Sequence, residues 1–167
     1  MLILKASTGL RTSSATLIES KSMNYKTLLL LILAFYVHFV SAAELGELDA
    51  GQLAALQHDQ NALIVDIRTE QEWAATGTIP DSRKLEFFNA EGQSDTKQWV
   101  DKLNKLRTSP DQPVVLVCRS GNRSGRVGRL LAQKLGVENV YHLKNGILPW
   151  IKAGNPITKV CPDHSAC

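Results

Sequence analysis

Three cysteines in a chain of 167 residues are too few for a disulfide framework. Cys118 stands deep in the chain, and Cys161 and Cys167 fall within its last seven residues. In an exported protein an odd count leaves one thiol unpaired or joined between molecules, and Cys118 is the candidate for the free one. A bilayer-spanning run is missing too. Leu28 to Val40 is uncharged and mostly apolar, but its thirteen residues fall short of the roughly 20 a spanning helix needs, and no second such stretch follows. Nor is there an internal repeat or a low-complexity tract. Acidic residues are absent from an entire segment: between Gln112 and Val137 there is neither Asp nor Glu, whereas Arg119, Arg123, Arg126, Arg129 and Lys134 all occur.

What is present describes a core-forming chain. A hydrophobic fraction of 44% with 21% charged residues is that of a globular protein of one domain. The net charge of +3 comes from the N-terminal stretch: residues 1–43 hold four of the 19 basic and one of the 16 acidic residues, which leaves 15 of each in the remainder. A neutral body gives nucleic acid or an anionic membrane little to attract it.

From Met23 the order is Lys26, the apolar run, then Ser41-Ala42-Ala43, which is the order of a secretory signal peptide. The expected organisation is a segment 1–22 upstream of the true start, a signal at 23–43 cleaved after Ala42 or Ala43, a domain at 44–160 and a cysteine-containing tail at 161–167. The protein is then exported, periplasmic or secreted, with no stable membrane association after cleavage. An uncleaved anchor is the alternative.

Strand and helix signals alternate through the body. Asp49 can cap a helix to about Gln57. Ala62 to Ile67 (ALIVDI) is a buried-strand run, and Thr69 with Glu72 forms a capping box for a short helix carrying Trp73. A weaker strand falls at Arg83 to Phe87. Asp95 caps a helix to about Arg107, with Trp99, Leu103 and Leu106 at helical spacing. Val114 to Val117 (VVLV) is the clearest strand. A helix from about Arg123 to Leu135 follows, stopped by Gly136, and Val140 to Leu143 is the last strand. Strands separated by helices indicate an α/β fold with a mostly parallel sheet covered on both faces.

The chemistry concentrates in VVLVCRSGNRSGRVGR, Val114 to Arg129. A buried strand ends at Cys118, a tight loop follows, and a helix begins. In parallel α/β sheets ligands bind at the carboxyl ends of the strands. Ser120, Gly121 and Asn122 tolerate turn geometry that aims backbone N–H groups inward. Such a nest, with the positive end of the next helix behind it, stabilises an anion, here the Cys118 thiolate. A solvated basic helix beside a core cysteine is the bland alternative. The loop composition and the one-sided charge favour a reactive cysteine.

CRSGNRS resembles the active-site loop of the rhodanese family, which begins with the catalytic cysteine. DIRTEQEW, Asp66 to Trp73, resembles the family's first signature, and GVENVYHLKNGILPWIKAGNPI its closing segment. The likeness covers Leu45 to Ile157. It departs at Gly77-Thr78-Ile79-Pro80, where the family commonly has His in place of Thr78, and at Pro149 before Trp150. It implies a rhodanese-like α/β fold with a mostly parallel five-stranded sheet. It also implies a sulfurtransferase using a Cys118 persulfide, with a small anionic donor such as thiosulfate and a thiol or cyanide acceptor. On this view Arg119 and Arg123 attract the donor, and backbone N–H groups from Arg119 through Ser120, Gly121, Asn122 and Arg123 to Ser124 cradle the sulfur. Asp66 and Arg68 brace the sheet edge and a neighbouring loop through an ion pair. No metal or organic cofactor is needed, and no nucleic acid is expected as a partner.

Two other enzyme readings share these residues. Cysteine phosphatases need Cys-x5-Arg to ring a phosphate, whereas Cys118 and Arg123 give Cys-x4-Arg, one residue short. An exported thiol or persulfide redox carrier would use Cys161 or Cys167 to resolve the Cys118 persulfide. The tail pair could form a disulfide, hold a metal together with His164, or remain two thiols.

Overall fold

The computed structural model describes residues 24–26 and 43–161. The chain divides into two units, residues 1–41 and 42–167. In the first, Tyr25 and Lys26 are helical. The rest of the signal-like segment, the residues before it and the tail beyond Cys161 lie outside the described residues.

In the second unit the order is β1 (Gly46–Leu48), α1 (Ala50–Gln60), β2 (Leu63–Asp66), α2 (Glu70–Thr76), β3 (Arg83–Lys84), α3 (Thr96–Leu106), β4 (Val114–Val117), α4 (Asn122–Arg129), β5 (Val140–Leu143) and α5 (Ile147–Lys152). The five strands form one sheet in the order β1-β5-β4-β2-β3, and every pairing is parallel. β2 and β4 are buried along their whole length, as expected of central strands; β4 is apolar throughout, and β2 ends in the buried Asp66.

Two apolar layers enclose the sheet. On one face Val65, Val114, Leu116 and Val140 pack under α3 and α4 through Trp99, Leu103 and Val127. On the other, Ile64, Val115, Val117 and Leu143 pack under α1 and α5 through Leu53, Ile147 and Trp150. Burying a side chain of this size stabilises by about 1.5–3 kcal/mol. α1 and α2 begin with capping boxes, Asp49 with Gln52 and Thr69 with Glu72. α3 is capped by Asp95. α4 starts one residue earlier than Arg123 and continues as a π-helical stretch, Leu130–Lys134. It closes around Gly136 at φ 65°, where Val137 N–H donates to Leu131 O at 3.0 Å.

One expectation needs correcting, and one strand gave no signal. The strand at Arg83 to Phe87 is regular only over Arg83–Lys84; beyond it, Leu85 and Phe87 still donate to the carbonyls of Asp66 and Ile67. The first strand, Gly46–Leu48, has three residues and no β-branched side chain, so it carries no strand signal. It pairs with β5, and Gly46 is the residue that allows this: a Cβ there would lie 2.3 Å from the Tyr141 ring.

Candidate active site

β4 delivers Cys118 to the carboxyl edge of the sheet with 1% of its surface exposed. The chain then turns through Gly121, whose φ of 88° is a left-handed conformation. A Cβ at Gly121 would lie 1.8 Å from the Lys144 carbonyl oxygen, so only glycine lets the loop lie against the β5–α5 connection. From the other side that connection holds the loop's own carbonyls. Ile147 N–H donates to Cys118 O at 2.9 Å and Leu148 N–H to Arg119 O at 3.3 Å.

The loop aims donors at the sulfur. Cys118 Sγ accepts from Gly121 N–H at 3.2 Å, from Ser124 N–H at 3.4 Å and from the Ser124 hydroxyl at 3.3 Å. Of the six residues expected to cradle the sulfur, Gly121 and Ser124 supply these backbone donors. Ser120 and Asn122 lie on the exposed rim. These donors, at the start of α4, favour negative charge on sulfur.

The two loop arginines differ. Arg119 is exposed and has no carboxylate partner among the described residues. Arg123, expected to attract the donor, instead grips Glu72 with both terminal nitrogens, at 2.8 and 2.5 Å. Its charge is therefore largely compensated. Glu72 Oε2 also accepts from Thr69 N–H at 3.1 Å, so one carboxylate caps α2 and anchors the reactive loop. Burial pushes the Glu72 carboxyl up, but the Arg123 bond and the Thr69 N–H outweigh it and hold it below the ordinary value. The same ion pair raises Arg123. The sequence marked Glu72 only as a helix cap. Its second role needs a contact across 51 positions that no local pattern announces.

Asp66 and Arg68 form the expected ion pair, but it is buried, each side chain 1% exposed, and not at the sheet edge. β3 pairs outside β2, so Asp66 is interior. Arg68 donates to both Asp66 oxygens at 2.6–3.1 Å, to Thr76 Oγ1 at 2.7 Å and to Gly77 O at 2.7 Å. It thereby ties the end of β2 to the end of α2. A further residue the sequence did not single out is His142 on β5. It is 4% exposed, with Nδ1 3.4 Å from Ser124 Oγ. In the tail, Cys161 is disulfide-bonded and Cys118 is free; His164 and Cys167 lie outside the described residues.

A parallel α/β sheet with a buried cysteine at the carboxyl end of its central strand, its sulfur facing two backbone N–H groups and a hydroxyl, defines a thiolate-cradle domain. The rhodanese-like domain family model matches residues 49–153, and the chain belongs to that family. A tRNA uridine(34) hydroxylase of Prochlorococcus marinus is 29% identical over 106 residues, 62% of this chain and 33% of that protein. The chain thus spans about a third of that relative's length. Among solved structures, Rv0390 of M. tuberculosis superposes with a TM-score of 0.56 at 22% identity, covering 69% of this chain and 98% of that one. The polysulfide-sulfur transferase of Wolinella succinogenes gives a TM-score of 0.53 at 19% identity, covering 81% and 94%. At these identities the structural likeness concerns the fold alone.

Proposed function

We propose that this protein is a sulfurtransferase that carries a sulfane sulfur from a small anionic donor such as thiosulfate to a thiol or cyanide, through a persulfide on Cys118. The observation that carries this reading is the set of three donors converging on Cys118 Sγ at 3.2–3.4 Å. In the first half-reaction the Cys118 thiolate attacks the donor's outer sulfur, the donor S–S bond breaks, and sulfite leaves with the bonding pair. In the second, a thiolate or cyanide attacks the outer sulfur of the persulfide, and Cys118 leaves as the thiolate. The cradle stabilises negative charge on sulfur at both stages. Arg119 supplies the uncompensated positive charge that attracts the donor, while Arg123 holds the loop through Glu72.

Phosphoryl transfer is disfavoured because Arg123 comes one residue early and is committed to Glu72. Action on tRNA, the activity in the name of the hydroxylase relatives, finds little support in a body with equal numbers of acidic and basic residues. Export is part of the same proposal and rests on the order of Lys26, the apolar run and Ser41-Ala42-Ala43.

Intact mass after thiosulfate treatment tests the reading. Wild type gains one sulfur and passes it to cyanide or a thiol, whereas Cys118→Ser gains none and does not turn over. Turnover retained in Cys118→Ser would refute it.

A further inference from the structure

Below the loop, Cys118 is the first member of a chain of polar groups. Ser124 Oγ lies 3.1 Å from the Gly121 carbonyl, 3.3 Å from Cys118 Sγ and 3.4 Å from His142 Nδ1, so its one proton can turn to any of the three. On the far side of the ring, His142 Nε2 is 3.5 Å from Glu47 Oε1, at ion-pair distance but without an aligned hydrogen bond. His142 shares a sheet face with Val140, under α4, where an apolar side chain would avoid the cost of burying a ring nitrogen. Gly125 makes the room: a Cβ there would stand 3.2 Å from His142 Cε1. The chain leads outward, because the Glu47 side chain is 51% exposed. Glu47 and His142 both line an open cavity of about 500 Å³ beside the loop.

We propose that Ser124, His142 and Glu47 form a proton relay that ionises Cys118, with His142 acting as a positioning residue through the Ser124 hydroxyl. The proposal rests on Cys118 being the reactive nucleophile. The Cys118 S–H bond breaks and its proton bonds to Ser124 Oγ, while the Ser124 O–H bond breaks and that proton bonds to His142 Nδ1. Sulfur keeps the electron pair as thiolate, and the resulting imidazolium faces the Glu47 carboxylate through Nε2. The groups facing the ring are Ser124 and Arg129 from α4, Glu47 from β1, and Lys144, which follows it at the end of β5. Burial pushes His142 below the usual imidazole range, and Arg129 and Lys144 push it further, against the upward pull of Glu47. The lowered value favours the neutral ring, the form that can accept a proton at Nδ1.

The test is the rate of Cys118 alkylation by iodoacetamide across pH, followed by peptide mass in the full chain, for wild type and for His142→Gln, Ser124→Ala and Glu47→Gln. His142→Gln and Ser124→Ala should react about tenfold more slowly near neutrality, where an unassisted thiol is only a few per cent ionised. They should converge on wild type above about pH 9, where solvent alone ionises a thiol. Glu47→Gln, at a half-exposed position where the carboxylate also pairs with Lys144 at 3.1 Å, should shift the profile the same way by a smaller factor. At His142 a purely structural role would lower the rate by one constant factor at every pH; Ser124→Ala also removes a donor to the sulfur, so His142→Gln and Glu47→Gln decide. Such parallel profiles, or a Glu47→Gln profile coincident with wild type, would overturn the relay. Sulfur loading from thiosulfate is read in the same wild-type samples. Alkylation with the expected pH dependence but no sulfur gained would refute the sulfurtransferase reading and leave the relay standing.

Discussion

Asp66→Asn should be among the most damaging polar substitutions in this domain, although Asp66 does not touch the reactive sulfur. The change keeps the shape of the side chain and removes its charge. Arg68 cannot release its proton, and at 1% exposure it cannot reach water. It keeps its bonds to Thr76 and Gly77 but loses the anion that offset its desolvation. Leaving one member of a buried pair uncompensated costs about 3–5 kcal/mol, a large share of the roughly 5–15 kcal/mol that holds a domain together. For a body of about 120 residues the unfolding entropy converts each kcal/mol into about 4 °C, so the melting temperature should fall by about 12–20 °C. Thermal unfolding followed by circular dichroism reads this directly. The double variant Asp66→Leu with Arg68→Met removes both charges and should recover most of the loss. A single-variant shift below about 4 °C, which this conversion equates with 1 kcal/mol, would mean that Arg68 is satisfied without Asp66 and would refute the reasoning.

Gly121→Ala should cost at least about 1–2 kcal/mol from the left-handed backbone alone. Because its Cβ must displace the Lys144 carbonyl, sulfur transfer should also fall about a hundredfold as one donor leaves the sulfur; kinetics on refolded variant check it. The Glu72–Arg123 pair, whose carboxyl is held below the ordinary value of 4.5, stabilises fully above that value and loses its contribution as pH falls through the lower folded value. Wild type should therefore exceed Glu72→Gln in stability by about 0.5–1 kcal/mol at neutral pH, with the gap closing in acid, as denaturant titrations at several pH values would show. Secreted protein should begin at Ala43 or Glu44 by intact mass; a soluble cytosolic form beginning at Met1 or Met23 would refute export.

Local chemistry made most of the architecture legible. The β-branched apolar runs at Ala62 to Ile67 and Val114 to Val117 have the length and composition of buried central strands. The caps at Asp49, Thr69 and Asp95 sit where side-chain oxygens meet free N–H groups one turn later. The cysteine at a strand's carboxyl end, followed by Ser-Gly-Asn, announced the cradle for the same reason. What stayed hidden depends on distance along the chain. Glu72 reads as a cap because its partner Arg123 belongs to another element. His142 reads as one polar position in a short strand, since nothing nearby shows that it lies under Ser124. The first strand escaped because its pairing comes from β5 and not from its own three residues.

The lock between the loop and the β5–α5 connection has a consequence for biosynthesis. The cradle is closed by hydrogen bonds from Ile147 and Leu148 back to Cys118 and Arg119, about thirty positions apart. A nascent chain ending before those residues has the donors of the CRSGNRS segment but lacks the two bonds that tie its carbonyls to the β5–α5 connection. The reactive loop thus depends for two of its backbone hydrogen bonds on residues at the far end of the domain, and its carbonyls are tied down only once that end has been made.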